Sequence, residues 1–414
     1  MSLLYIIIAI IVVSYIIEEY VDYLNLSHEL KPIAKKLRGK FSYTTRKKMH
    51  LYHLANYKLE LYYGMISTLV ILSMLVFKGF GAIDSLIQGY FDNPLVVTLV
   101  FFGIIGFGSA IISLPWNTYS VFYIENRFGF NRQTVLSFIT DKLKGIGLSV
   151  ILGGGLLLVI TWLFYQYPES FWWVAWLVIT GFSLFMAMFY SQLIVPLFNK
   201  QTPLEQGKLR EAIEDTARKA GFNLNEIYVI DGSKRSTKAN AYFTGLGTKK
   251  RIVLYDTLIQ DLSVNEVVAV LAHEIGHYKK HHILWNLGNG IIHTGLMLFV
   301  FHSVVSYDAL YEAVGASGAS FHIGLLVFGF LYAPVTMVLG LFTQYYSRKA
   351  EYQADNFAAN LGYATHLQSA LLILTDKNLS NINPHPVYVF MHYSHPPLNE
   401  RLLNLEKMQG QDID

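Results

Sequence analysis

Residues 261–282 read DLSVNEVVAVLAHEIGHYKKHH and hold His273, Glu274 and His277 within one short segment. The segment predicts a helix. Ser263 and Glu266 have capping-box spacing, Val267, Val268, Val270 and Leu271 supply an apolar run, and no proline interrupts it. Residues four apart project from one helix face, so the imidazoles of His273 and His277 can converge on a single metal ion. Glu274 can then reach a water on that ion, an arrangement suited to metal-assisted hydrolysis.

The rest of the chain sets this helix beside a membrane. Of 414 residues, 53% are hydrophobic and only 15% charged, with a mean hydropathy of +0.36, far more apolar than a soluble core requires. Seven stretches are apolar enough for the roughly 20 residues a spanning helix needs: 3–20, 60–77, 95–115, 145–165, 171–195, 284–306 and 321–346. The fold class read from this is a mainly α, polytopic membrane protein. The first stretch lacks a basic leader and a small-residue cleavage site and is closed by Glu18 and Glu19, so it reads as a retained anchor. The polar flanks of residues 261–282 put the His pair at the membrane surface rather than within a span.

Charge placement sets the orientation. Nine Lys and Arg fall between the first and second stretches, four between the third and fourth, thirteen between the fifth and sixth, and five after the seventh. Only Lys78 of the 32 lies on the opposite set of loops, which is the positive-inside pattern with the N-terminus outside and the C-terminus cytoplasmic. The basic run Lys31 to Lys48 reads first as a topology determinant, with a headgroup contact or a substrate arm as alternatives. The net charge of +3, without basic residues interleaved with aromatics, argues against a nucleic-acid partner. The absence of cysteine excludes disulfides, thiolate metal sites and a cysteine nucleophile, and leaves His and carboxylates as metal ligands.

These readings divide the chain into helices 1–5 with their loops (1–198), a first catalytic part carrying HEIGH (199–283), helices 6–7 (284–346) and a C-terminal catalytic part (347–414). In the first insert, Leu204 to Ala220 predicts an amphipathic helix, and Ile227–Ile230, Arg251–Tyr255 and Asn240–Thr244 predict extended pieces of a small β-sheet. An exposed edge of that sheet suggests how a peptide is held, as an added strand. After the seventh span, SRKAEYQADNFAANL (347–361) has helical periodicity and predicts a second cytoplasmic helix, with Glu351 and Asp355 on one face. An HExxH site needs a third protein ligand, and Glu351 is the best-placed candidate. Asp355 would then accept from a ligating imidazole. By spacing alone the pair fits an acidic helix surface as well.

Other histidines carry weaker signals. His281 and His282 read as markers of the membrane interface, and His293, His302 and His322 are left without a role in or at the ends of spans. His395, in a Pro-rich turn followed by Arg401, is placed to supply positive charge near an oxyanion. The segment 126–134, NRFGFNRQT, is too irregular to interpret from periodicity.

Taken together, ENRFGFNRQT (125–134), NAYFTG (240–245), HEIGH (273–277), SRKAEYQAD (347–355) and SHPPLNER (394–401) resemble the type I CAAX prenyl proteases, integral membrane zinc metalloproteases also called a-factor-converting enzymes. The resemblance covers nearly the whole chain. It implies one zinc ion held by His273, His277 and Glu351, with Asp355 behind them and Glu274 as catalytic base. It also implies roles for Asn240 and His395 in binding substrate backbone or stabilising the oxyanion, with Ala241, Tyr242 and Arg401 as further substrate-binding candidates. Seven tilted helices would enclose a large water-filled chamber that peptides enter through gaps between helices.

The implied partners are the lipid bilayer and a peptide or membrane-associated protein, prenylated at a Cys whose C-terminal tripeptide is removed. The short outer loops and a QDID end without a retention signal fit a bacterial inner-membrane relative, or an endoplasmic reticulum protein if the source is eukaryotic. Without prenylation, membrane-protein quality control becomes the expected task. The competing reading is a seven-helix transporter or receptor with a structural metal site, which would need four protein ligands instead of three plus water.

Overall fold

The computed structural model describes residues 2–222, 224, 226–244 and 251–410. Among them, seven helices are long and apolar enough to cross a membrane. The first five are α1 (Leu3–His28), α2 (Tyr43–Val76), α3 (Pro94–Phe128), α4 (Val135–Gln166) and α5 (Phe171–Phe198). They coincide with the first five apolar stretches but run past them. α2 has 34 residues, about 51 Å at 1.5 Å per residue, against a hydrocarbon thickness of about 30 Å. Arg46, Lys47 and Lys48 therefore stand on its first turns instead of in a loop.

The first polar insert follows as β1 (Gln201–Pro203), α6 (Lys208–Lys219), β2 (Glu226–Ile230), β3 (Ala241–Thr244), β4 (Arg251–Tyr255) and α7 (Val264–Lys279). The sheet order is β1-β2-β4-β3, with β2 and β4 parallel and the outer pairs antiparallel. β1 escaped the sequence reading because three residues carry too little alternation to register. α6 begins at Lys208, not Leu204, because the Leu204 N–H donates to Ile227 O and prolongs the pairing of β1 with β2. One face of the sheet buries Ile227, Ile252 and Leu254 with Ile213 of α6 and Val267, Val268 and Leu271 of α7. β3 stays at the edge, and its Gly245 neighbour in the NAYFTG motif lies outside the described residues.

Helices α8 (His282–Val304) and α9 (Phe321–Asn360) are the last two spans, and α10 (Ala364–Lys377) and α11 (Leu398–Gly410) complete the chain. The separate cytoplasmic helix expected over 347–361 does not exist as such. α9 is one helix of 40 residues, about 60 Å long. The sequence turns polar at Ser347 but contains no Gly or Pro there, so only the helix's surroundings change, not its backbone. Its C-terminal third therefore lies along α7. Gly276 makes this contact close: a Cβ there would sit 3.0 Å from the Ala354 Cα and 3.1 Å from the Phe357 Cβ. Ala269, Ala272, Ala354 and Ala358 are fully buried around the same seam.

Segment 126–134 is also resolved. Asn126–Phe128 ends α3, Gly129 at φ +87° reverses the chain as only glycine does readily, and the strand-like stretch after it pairs with residues 235–237. Thr237 N–H donates to Phe130 O at 3.0 Å and Arg132 N–H to Arg235 O at 2.9 Å.

The α7–α9 seam yields a prediction. Gly276→Val should destabilise the protein by about 1–3 kcal/mol through overpacking, and by parting the two helices it should also reduce bound metal. Thermal unfolding and metal content of the purified variant test this. Wild-type values for both would show that the seam is not tight.

Candidate metal centre and active site

The capping box that starts α7 is present. Glu266 accepts from both the N–H and the hydroxyl of Ser263 at 2.8 Å, and also from the Ser369 hydroxyl at 2.5 Å. That fixes the helix start three turns before His273. His273 Nε2 and His277 Nε2 lie 3.1 Å apart. Glu351 reaches them from α9, with Oε2 3.5 Å from His273 Nε2 and Oε1 3.2 Å from His277 Nε2. An ion with bonds of about 2.0 Å in tetrahedral geometry spaces its ligand atoms by roughly 3.3 Å, so the three side chains fit a metal ion.

A second observation agrees. Glu351 is 3% exposed, yet its Oε2 has no hydrogen bond among the described residues; Arg401 Nη1 stands 3.3 Å and His273 Nε2 3.5 Å away. An ionised buried oxygen left this way needs a cation. These three residues form the one group of His, Asp and Glu with metal-site spacing among the described residues.

Around them, His273 Nδ1 donates to Asp355 Oδ1 at 2.9 Å, which turns Nε2 towards Glu351 and His277. Arg401 holds Asp355 with two hydrogen bonds, Nε to Oδ2 at 2.9 Å and Nη2 to Oδ1 at 2.6 Å. Sequence reading offered Arg401 as a substrate or oxyanion contact. The structure pairs its buried guanidinium with Asp355 and Glu351. Burial pushes the His273 imidazole down, but the Asp355 and Glu351 carboxylates outweigh it and raise its pKa to about 9. Glu274 is half-buried on the same helix; burial pushes its carboxyl up, towards the range in which it can take and return a proton.

His395 joins the cluster from the segment before α11, with Nε2 3.2 Å from Glu351 Oε1 and Nδ1 2.8 Å from the Ser394 hydroxyl. That segment is held by Arg348, which donates to Val389 O at 2.9 Å and Tyr393 O at 2.7 Å. α11 is fixed to α9 by Tyr352 to Glu400 and Asn404 to Asn356, both at 2.7 Å. Asn240 is exposed where edge strand β3 begins, its carbonyl accepting from Tyr255 N–H at 3.1 Å. Along that strand, Phe243 packs on Tyr278, the residue after His277, with ring centroids 5.4 Å apart. Ala241 and Tyr242 lie between them.

Several contributors were not legible beforehand. Lys238, two residues before Asn240, bonds the Tyr52 hydroxyl at 2.8 Å and Glu125 at 3.1 Å, tying the strand's approach to α2 and α3. Arg235 bonds Asp141 of α4 at 2.7 and 2.8 Å. His282 was read as an interface marker. It is buried against His277, while His281 beside it is exposed. Of the unassigned histidines, His322 is buried with its Nε2 2.7 Å from Asp84 Oδ1, and His293 stacks on Tyr332.

Comparison with known proteins shows what the whole chain is similar to. Residues 22–200 match the family described as CAAX prenyl protease N-terminal, five membrane helices, and residues 203–409 match peptidase family M48. CAAX prenyl protease 1 of Saccharomyces cerevisiae is 40% identical over 330 residues, covering 76% of this chain and 73% of that protein. The CAAX prenyl protease 1 homolog of Arabidopsis thaliana is 38% identical over 400 residues, covering 94% of each. The crystal structure of S. mikatae Ste24p superposes with a TM-score of 0.92 at 34% identity, covering 98% of this chain and 99% of that one.

Replacing Arg401 should show how far the cluster depends on it. Arg401→Met leaves Asp355 and Glu351 buried without their cation, which typically costs about 3–5 kcal/mol. A large drop in the thermal unfolding midpoint is expected, and a variant as stable as wild type would refute the pairing.

Proposed function

Because the chain belongs to the CAAX prenyl protease branch of peptidase family M48, and is a membrane-embedded metalloprotease, we propose that it is a zinc endopeptidase cutting near the C-terminus of prenylated, membrane-associated peptides. The observation that carries this reading is the convergence of His273, His277 and Glu351, with one Glu351 oxygen left without a hydrogen bond among the described residues. Two imidazoles and a carboxylate are a donor set that zinc favours, and three protein ligands leave a position open. Bound there, zinc supplies Lewis acidity to a water and to the scissile carbonyl. The transporter or receptor alternative has no use for a three-ligand site with an adjacent carboxylate.

The protein's own groups divide the remaining work. Glu274 removes the proton of the attacking water and later returns it to the leaving amine. His395, exposed beside Glu351, donates to the developing oxyanion. The edge of β3 offers backbone groups to an extended peptide, and Asn240 bonds its backbone. The Lys and Arg partition supports an active site on the cytoplasmic side.

Incubating the purified protein with a farnesylated CAAX peptide and its unprenylated twin tests the reading directly. Cleavage of the farnesylated peptide should stop with a chelator and return with zinc; equal rates on both peptides would remove the prenyl group from the proposal. Glu274→Gln should keep zinc and peptide binding but lose about 10²- to 10⁴-fold in rate, whereas cleavage at the wild-type rate would rule Glu274 out as base. For orientation, single cysteines at Ser85, Ser170 and Ser317 should label from outside and one at Ser347 should not.

A further inference from the structure

The turn after α7 contains a device that the proposed mechanism does not use. His281 adopts the left-handed conformation at φ +60°, which side chains disfavour, and so reverses the chain sharply enough that α8 begins at the next residue. That residue, His282, folds back over the end of α7 and is 2% exposed. Its Nδ1 lies 3.0 Å from His277 Nδ1, and its Nε2 lies 2.9 Å from Gln353 Oε1. The two rings meet edge to face, with centroids 5.1 Å apart.

The proton positions along this chain are determined by its metal end. His277 Nε2 is one of the three converging ligand atoms; binding a metal there would require it without a proton, which would put the ring proton on Nδ1. That N–H must find an acceptor, and the atom facing it is His282 Nδ1. His282 in turn carries its proton on Nε2, where the Gln353 carbonyl oxygen accepts it. With a metal on His277 Nε2, each bond would run in this direction.

We propose that His282 is the positioning residue of His277, and that Gln353 is the positioning residue of His282, together holding His277 in the tautomer and ring orientation that present Nε2 to the metal. The proposal rests on reading His277 as a metal ligand. The two ligating imidazoles are then oriented by different means, His273 by the Asp355 carboxylate and His277 by a neutral imidazole–amide relay. Charge explains the difference. Glu351 and Asp355 already share the one Arg401 guanidinium in the buried cluster, and a third buried carboxylate behind His277 would add negative charge without a counter-ion. The relay orients the ring at no such cost. It also ties the end of α7, the start of α8 and the EYQAD turn of α9 together, so that both motifs position each other.

The test uses the intact purified protein in detergent, stripped of metal and titrated with zinc against a chromophoric chelator, with cobalt substitution as a spectroscopic readout of ligand geometry. His282→Leu should weaken zinc binding by about 10- to 100-fold and change the visible cobalt spectrum. His282→Asn places an amide oxygen near the former Nδ1 and should recover most of the affinity. Gln353→Leu, at an exposed position that tolerates leucine, should weaken binding in the same direction, and adding it to His282→Leu should cost nothing more. His281→Gly should leave affinity and cleavage unchanged.

Wild-type zinc affinity and cobalt spectrum in His282→Leu overturn the proposal, as does a His282→Asn protein no better than His282→Leu. Should His282→Leu fail to fold, unchanged affinity and spectrum in Gln353→Leu overturn it equally. His277→Ala that keeps zinc would instead refute the ligand assignment on which the proposal stands.

Discussion

The close approach of α7 and α9 is the constraint on which the site depends. Two helices carrying His273, His277 and Glu351 can bring those side chains within 3.5 Å only if their backbones nearly touch, and Gly276 against Ala354 permits this. The small residues of HEIGH and EYQAD thus matter as much as the polar ones. Ala269, Ala272, Ala354 and Ala358 contribute little apolar area each, but they leave no room for another packing distance.

Such proximity has an electrostatic consequence. Glu351 and Asp355 are buried one helical turn apart, with Glu274 close on the facing helix, and carboxylates gathered in low dielectric repel one another and lose hydration. Arg401 answers part of this by bonding Asp355 twice and facing Glu351, and a metal ion would answer the rest. The C-terminal helix α11 is therefore part of the site, since it delivers the guanidinium. The site is assembled from residues 273 to 401, and none of its parts is complete within a single segment.

Membrane-spanning and polar parts are joined rigidly for a related reason. α9 runs without interruption from its membrane-spanning part to Glu351, and α8 starts at His282, which faces His277. On the other side, the 126–134 segment pairs with 235–237, and Lys238 and Arg235 bond residues of the spanning helices. The edge strand that begins after Asn240 is thus fixed to the bundle that would deliver a substrate to it.

Much of this was written locally in the chain. Apolar runs of membrane length marked the seven spans, the Ser263–Glu266 pair marked the start of α7, and four-residue spacing put His273 with His277 and Glu351 with Asp355. These features depend on residues a few positions apart, which helix geometry relates directly. The continuity of α9 was missed because polarity changes at Ser347 while helix propensity does not. The partners of Arg401 and His282 were missed because the contacts span 46 and 71 residues. A histidine in a turn and an arginine on a C-terminal helix look the same in sequence whether they face solvent or a buried charge. Only packing of the helices decides which, because the energy of a charge or a ring proton is set by what lies within a few ångströms in space.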